Sequence, residues 1–548
     1  MNENKCARIL NRIFHICFFV CMAATFIGTL IYGYTEKTVN YTGANGKLQS
    51  RRILYSTKAH LLIYLAAFLM LVFFCLLYYF SKKDFRCLQA SPKLSSEAKF
   101  RIIMFSMLGV MLLIQLYVGA ELKIYPRTDL KQVVYNAESF ATTGSFDTAK
   151  SYIATGKDIY MARYPNNFMI MLIIALLYRV SYLLTGTMPL YLPVILNVIA
   201  INISLLFTVL IAKRLWGRRK AVYVLCLLFI FAPYYVYVPF YYTDTLSMPF
   251  GMLGLYLFML GLEADKSHKV KKYLMLAIAG AVLFLGFKVK GSIAVIFAVA
   301  LVYSLLKYKL RDFACIALAL VIGFGSFAVM FNVGYNAIGL VTEEQADRYE
   351  YPMTHWVMMG LKGKGGWNQS DSDYTSSFET KAEKQEANIK VIKSRVKALT
   401  ERHQLVRHFA VKAVWMWGDG TYFIPGHITD YVNRSYLHDF VLRDGRYYYI
   451  YFGYSNAYQL VLLLMMVMSL LKGVIKPKID LMLVIKGSVF ALFLFLLIWE
   501  GRSRYLFNMT PLFILMMTDG ISYTTELVKK AFNGIKNKRN NQKLTAEA

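Results

Sequence analysis

Asp129 stands nine residues past the apolar segment Ile102 to Ala120, inside the polar stretch YPRTDLKQVVYNAESF. A carboxylate beside a membrane, partly stripped of water, can take a proton from an attacking hydroxyl. Asp129 is also placed to cap the helix that Val133, Val134, Ala137 and Phe140 predict, and the two roles are compatible. Arg163, Tyr164, Pro165, Asn166 and Asn167 open the next apolar run. They offer a guanidinium and two amides to a sugar or phosphate, or else an interfacial anchor. Asp244, in YYTDTLSMPF, lies at one helix end, again as a cap or as a site carboxylate. Lys288 and Lys290, in FKVKGS, lie at another, with almost no loop between spans. A lysine in mid-membrane costs about 2.5–3.5 kcal/mol, so these two either snorkel to the headgroups or meet an anionic partner. Glu500, Arg502, Arg504 and Tyr505, in WEGRSRYLFNMTP, crowd the mouth of the last long apolar span, and the arginine fork suits phosphate. His355, beside Trp356, is a binding candidate, set against the commoner structural hydrogen bond. His403 and His408 are five apart, the wrong helical spacing for a shared metal.

The elements that must carry these residues are membrane helices. The chain has 548 residues, 57% of them hydrophobic, and about a dozen apolar segments, each near the roughly 20 residues that cross a bilayer. The net charge of +30 would suit nucleic acid in a soluble protein, but here Lys and Arg gather in short loops between apolar runs. That is the positive-inside pattern, and nucleic-acid binding is excluded. Basic clusters at 5–12, 82–99, 213–220, 266–272, 307–311, 472–478 and 529–543 predict a multi-pass protein of the cell membrane with both termini cytoplasmic. Two places resist. The loop Thr35 to His60 is basic yet predicted external, and Tyr164 to Ala212 holds two apolar runs where charge demands an odd number of crossings. One run is then re-entrant, or three short helices fill the stretch. Seven cysteines without metal-ligand spacing argue against disulfides and zinc. Ile13 to Tyr32 is too long for a signal-peptide core and predicts an uncleaved first helix.

The organisation read from these signals is two extra N-terminal helices with a basic loop (1–99), a membrane core (100–334) with its first external loop (121–163), a large external segment (335–451), C-terminal spans (452–525) and a basic tail (526–548). In the external segment Ser376-x-x-Glu379 resembles a capping box. Ile389, Ile392, Val396, Leu399, Val406, Phe409 and Ala413 then predict one amphipathic helix. Gly360 to Tyr374 reads as a mobile polar loop.

Taken in order, these features resemble the GT-C superfamily of membrane glycosyltransferases, in particular the protein O-mannosyltransferase and lipid A aminoarabinose transferase type. The matching positions are Asp129 with Ala137 eight residues on, Tyr164-Pro165-Asn166-Asn167, Asp244, Lys290-Gly291, and Arg504-Tyr505-Leu506 with Pro511, spread over Phe100 to Met517. Leu130 stands where the family often has a second acid, Asn166-Asn167 where it has a second proline, and the first two helices are an addition. The resemblance implies an all-α polytopic membrane protein, a GT-C-like bundle of about 12–14 transmembrane helices with external juxtamembrane helices. It implies a sugar donor on polyprenyl phosphate, an acceptor (glycan, lipid or protein) at the outer face, and inverting transfer with Asp129 as general base. Lys288, Lys290, Arg502 and Arg504 would then face the departing phosphate. No cofactor is certain, and a divalent metal stays open. The rival readings are a transporter or flippase of lipid-linked glycans, a polysaccharide polymerase or ligase, and a non-enzymatic envelope assembly factor. The ionisable groups sit at helix ends and in loops rather than in mid-span, and no internal repeat is visible, which favours surface chemistry over transport.

Overall fold

In the computed structural model the described residues are 5–32, 37–42, 48–53, 57–82, 95–264 and 268–547. The basic stretch 83–94 with Cys87, parts of the loop 35–60 and residues 265–267 lie outside them. The protein is an all-helical, polytopic membrane bundle, apart from one antiparallel hairpin, β1 (Lys37–Thr42) and β2 (Leu48–Ile53), which joins the first two helices. Among the described residues ten helices are long and apolar enough to cross a bilayer. Runs of Leu, Ile, Phe, Val and Met impose this form, since in lipid a helix satisfies its backbone bonds internally.

The order of helices is α1 (Lys5–Tyr32), α2 (Thr57–Lys82), α3 (Ser96–Glu121), α4 (Thr128–Thr143), α5 (Phe168–Thr185), α6 (Leu192–Trp216), α7 (Arg218–Phe229), α8 (Met248–Glu263), α9 (Lys269–Val289), α10 (Ala294–Lys307) and α11 (Leu310–Ile338). After the segment 339–447 come α16 (Tyr448–Ile475), α17 (Leu481–Ile498) and α18 (Thr510–Glu547). Contacts at the helix ends fix their directions. Glu97, opening α3, accepts from Lys213 at 2.6 Å and Arg218 at 3.3 Å, at the close of α6. At the other end Tyr191, before α6, donates to the Leu116 carbonyl. So α3 and α6 are antiparallel. Lys307 Nζ likewise donates to the Ile479 carbonyl at 2.7 Å, joining the ends of α10 and α16. Traced this way, the described chain passes between its two ends twelve times, through α1, α2, α3, α6, the broken stretch from α7 to Tyr242, α8, α9, α10, α11, α16, α17 and the first part of α18. The stretch from α7, α10 and α18 are passes that length and hydropathy alone do not single out.

The antiparallel α3 and α6 settle the odd crossing between 164 and 212. Both ends of α5 lie at the Asp129 end, so α6 crosses and α5 does not. Instead α5 lies along the amphipathic α4, where Arg179 donates to the carbonyls of Ala141 at 2.9 Å and Thr142 at 3.1 Å. Ile170, Met171, Ile174 and Tyr178 are buried on one face of α5, and Leu176, Val180, Leu183 and Leu184 are exposed on the other. The run is apolar because one side meets protein and the other suits lipid.

Near the Lys213 end a buried ion cluster closes the bundle. Asp519 on α18 accepts from Lys472 at 2.6 Å and Ser469 at 2.7 Å, and Lys486 Nζ lies 3.2 Å away. Lys486, the one basic residue inside α17, is therefore paired rather than exposed to lipid.

The segment between α11 and α16 contributes α12 (Met353–Gly360), α13 (Gln369–Ser376), α14 (Lys381–Glu401) and α15 (Leu405–Trp417). The capping box falls four residues later than the sequence suggested, at Thr380 and Glu383, where strong helix formers follow without a break. The single amphipathic helix is two, because His403 takes a left-handed conformation (φ 53°) between α14 and α15. Nor is 360–374 a free loop. Gly501 N donates to the Gly365 carbonyl at 2.9 Å, Trp367 N to Glu500 at 3.0 Å, and Asn368 caps α13.

Candidate active site

A cavity of about 1040 Å³ opens where the helices converge at the Asp129 end. Its walls come from the start of α4, the segment Tyr160 to Asn167, the turn between α9 and α10, the mouth after α17, and Glu350, Trp356, Trp367 and Phe423 from the segment between α11 and α16. Asp129 sits in the first turn of α4 but caps nothing: the cap position belongs to Arg127, without a side-chain bond. The approach to that turn is sewn to a distant segment. Arg127 Nε lies 2.5 Å from Asp430, Tyr125 N donates to the Asp430 carbonyl at 2.7 Å, and Val432 N to the Lys123 carbonyl at 2.8 Å. Thr128 is thereby held at φ 47°, a conformation costly for a β-branched residue and tolerated where surrounding bonds impose it. The result leaves the Asp129 carboxylate 43% exposed, facing the cavity, with Arg504 Nη2 at 3.9 Å.

Arg504 lies between two rings, its guanidinium carbon 5.6 Å from the centre of Tyr242 and 5.1 Å from that of Tyr505. Its Nε is buried and has no partner. Lys290 pairs with buried Asp244 and stands 5.0 Å from the Tyr505 ring. Asn508 ties the two loops together by donating to Ser292 at 3.0 Å. Lys288 lies 4.4 Å over the Phe331 ring and, among the described residues, has no carboxylate partner. Arg502 covers Phe423 at 5.1 Å and approaches Glu500 only at 4.0 Å. Buried Glu500 accepts from Tyr505 at 2.6 Å and from Trp367 N, so it fastens the segment between α11 and α16 to this mouth. Burial pushes its carboxyl up from the ordinary range, against the pull of Tyr505, Arg502 and Arg504.

Ten residues singled out in the sequence line this one cavity: Asp129, Tyr164, Asn166, Asn167, Lys288, Lys290, Glu500, Arg502, Arg504 and Tyr505. Asn167 is largely framework there, donating to Tyr160 at 2.7 Å and accepting from Tyr242 at 3.2 Å. Three others do not face the cavity. Asp244 is fully buried beneath Lys290, and it is no helix cap, since that helix turn begins at Thr243. Arg163 instead stacks 5.1 Å from the ring of buried Tyr351. His355 is fully buried behind Trp356, bonded to Thr375 at 2.7 Å, and burial lowers its pKa to about 4, so it is neutral. Sequence reading missed Tyr160, Tyr242, Trp367, Trp499, Phe423 and His427. The last two come from a turn in which Tyr422 and Phe423 both take positive φ (51° and 63°), a geometry no motif announces. Among the described residues no group of three or more His, Cys, Asp and Glu side chains is arranged to hold a metal ion.

Fold and cavity together define a multi-pass membrane protein with a charged, aromatic-walled site at one end of its bundle. The chain belongs to the family described as "Conserved hypothetical integral membrane protein", which it matches over residues 6–525. No curated protein matches it. Among solved structures it is similar to ArnT from Cupriavidus metallidurans, crystallised with undecaprenyl phosphate, at 9% identity and a TM-score of 0.30, over 77% of this chain and 78% of that one. A likeness that loose carries no argument about this site.

Proposed function

We propose that the protein is a glycosyltransferase that moves a sugar from a polyprenyl-phosphate donor to an acceptor hydroxyl at the outer face of the membrane. The observation that carries this reading is the shared cavity: a half-exposed carboxylate, Asp129, opposite the under-partnered cations Arg504, Arg502 and Lys288. In the step envisaged, the acceptor oxygen attacks the anomeric carbon as its proton passes to Asp129. The bond from that carbon to the phosphate oxygen breaks, and polyprenyl phosphate leaves with the electron pair. Positive charge gathers on the sugar and negative charge on the phosphate, so preorganised cations act more strongly on the transition state than on the bound donor. Lys290 is already neutralised by Asp244, so its role would be to hold the α9–α10 turn, leaving Lys288, Arg502 and Arg504 to meet the phosphate. Donor and product both carry lipid chains, which suits a cavity whose aromatic wall includes Phe287, Phe331 and Phe495 at the tips of spanning helices.

The test is release of polyprenyl phosphate from a panel of radiolabelled polyprenyl-phosphate hexoses by the full-length protein in lipid nanodiscs. Asp129→Asn is expected to lower the rate about 10²- to 10⁴-fold with donor binding kept, the range for loss of a general base. A variant as active as the parent would dismiss Asp129 as base. A parent inert toward every donor, alongside a deletion strain with unaltered envelope glycans, would dismiss the enzyme reading.

A further inference from the structure

We propose that the tryptophan-bearing wall of the cavity is an acceptor subsite for a neutral saccharide, so that the acceptor is a glycan rather than a peptide or an anionic polyol phosphate. This rests on the glycosyl-transfer reading and names the partner it left open. The wall is a run of rings that starts beside Asp129. Tyr164 lies 6.0 Å from Trp356, Trp356 stacks toward Trp499 at 6.4 Å and 24°, and Trp499 toward Phe495 at 5.1 Å and 27°. Tyr164 is close enough to Asp129 for the carboxylate, after burial and Tyr351, to help raise the pKa of its hydroxyl. An acceptor lying on these rings would therefore present a hydroxyl to the base.

Charge separates this wall from the rest of the cavity. Tyr242, Tyr505, Phe331 and Phe423 each carry a Lys or Arg over the ring. Among the described residues no cation covers Trp356, Trp367 or Trp499. The wall instead includes an acid, Glu350, whose carboxylate meets Lys381 at 2.8 Å and remains partly exposed. Glu350 is paired with Lys381, so what a phosphate-bearing acceptor lacks here is a cation over the tryptophan faces, whereas Lys288, Arg502 and Arg504 stand over other rings of the cavity. A pyranose fits: its C–H face stacks on indole, and its hydroxyls donate to a carboxylate.

Trp367 is the telling residue. Its side chain faces the cavity while 44% exposed, and its backbone is fixed by the bond to Glu500. A large ring left open to water yet held in place is a preorganised platform, which limits the ordering cost of binding. Among the described residues the isolated bridge at the cavity rim, Ile124 to Tyr431, is already paired, so it offers no free edge for a peptide strand to extend.

Saturation-transfer NMR on the full-length protein in nanodiscs tests this with three probes: methyl glycosides of common hexoses and N-acetylhexosamines, a Ser/Thr-containing peptide, and a glycerol-phosphate oligomer. Saccharide binding is expected in the parent and in Asp129→Asn, about tenfold weaker in Trp367→Ala (a loss of about 1.4 kcal/mol), and largely restored in Trp367→Phe. Binding of the peptide or the oligomer in place of the saccharides overturns the proposal. So does unchanged affinity in Trp367→Ala, or no saccharide binding at all. Asp129-dependent donor cleavage, measured on the same samples, shows whether the glycosyl-transfer reading survives such a failure.

Discussion

Lys412 offers a quantitative test of how the segment between α11 and α16 is locked beside the cavity. It lies on α15 with no exposed surface, and its Nζ donates to the carbonyls of Gly360 at 3.0 Å, Leu497 at 2.9 Å and Trp499 at 2.5 Å. The last two belong to the end of α17, where carbonyls lack helical partners. One ammonium thus joins α15, the 360–368 strap and the span that delivers Glu500, Arg502 and Arg504. Burial lowers its pKa to about 8, partly offset by Glu500. Against a model-compound value of 10.5 the shift corresponds to about 3 kcal/mol. The unfolded chain binds the proton more tightly than the folded one between those two values, so stability rises with pH across that window and is lost again as pH falls toward 8. Lys412→Met keeps the stem and removes the charge. Three charge-assisted bonds at roughly 1.5–3 kcal/mol each, less the burial cost, give a net loss of about 2–6 kcal/mol at pH 7. Thermal unfolding of parent and variant in detergent between pH 7 and 10.5 measures both numbers. The parent should unfold at higher temperature throughout, and its advantage should grow by about 3 kcal/mol above pH 8. Equal melting temperatures would refute the clamp, and an advantage that shrinks with rising pH would refute the lowered pKa.

Asp519→Asn should lower stability by about 3–5 kcal/mol, because it leaves Lys486 buried without its counter-charge. Adding Lys486→Met should restore part of that loss, and unchanged melting of the single variant would show the cluster to be inert. In a cysteine-free background, a thiol at Thr187 should react with an impermeant reagent from the same side of the membrane as one at Tyr125, and from the opposite side to one at Arg219. Labelling of Thr187→Cys from the Arg219 side would mean that α5 crosses after all.

Much of the architecture is legible because a bilayer is a simple solvent. Apolar runs of spanning length can only be helices there, and Lys and Arg between them mark one end of the bundle, as the cluster Lys213, Arg214 and Arg218 against Glu97 and Glu263 bears out. The charged residues that line the cavity are legible for a related reason. Charges such as Asp129, Lys290 and Arg504 are costly beside lipid, so their placement at span ends is a signal in itself. Periodicity fails where a helix is apolar for another reason. The composition of α5 is that of a span, and only its contacts with α4 keep it at one end.

The sequence alone therefore determined the all-helical membrane class, the apolar runs and the ionisable residues at their ends, since these depend on local composition and solvent. Tertiary structure decided the pairings. Asp244 was spent on Lys290, His355 was buried behind Trp356, and Trp367 was carried across more than a hundred residues to meet Glu500. Which charge meets which ring, and which remains free in the cavity, depends on contacts between segments far apart in the chain, and no local pattern encodes them.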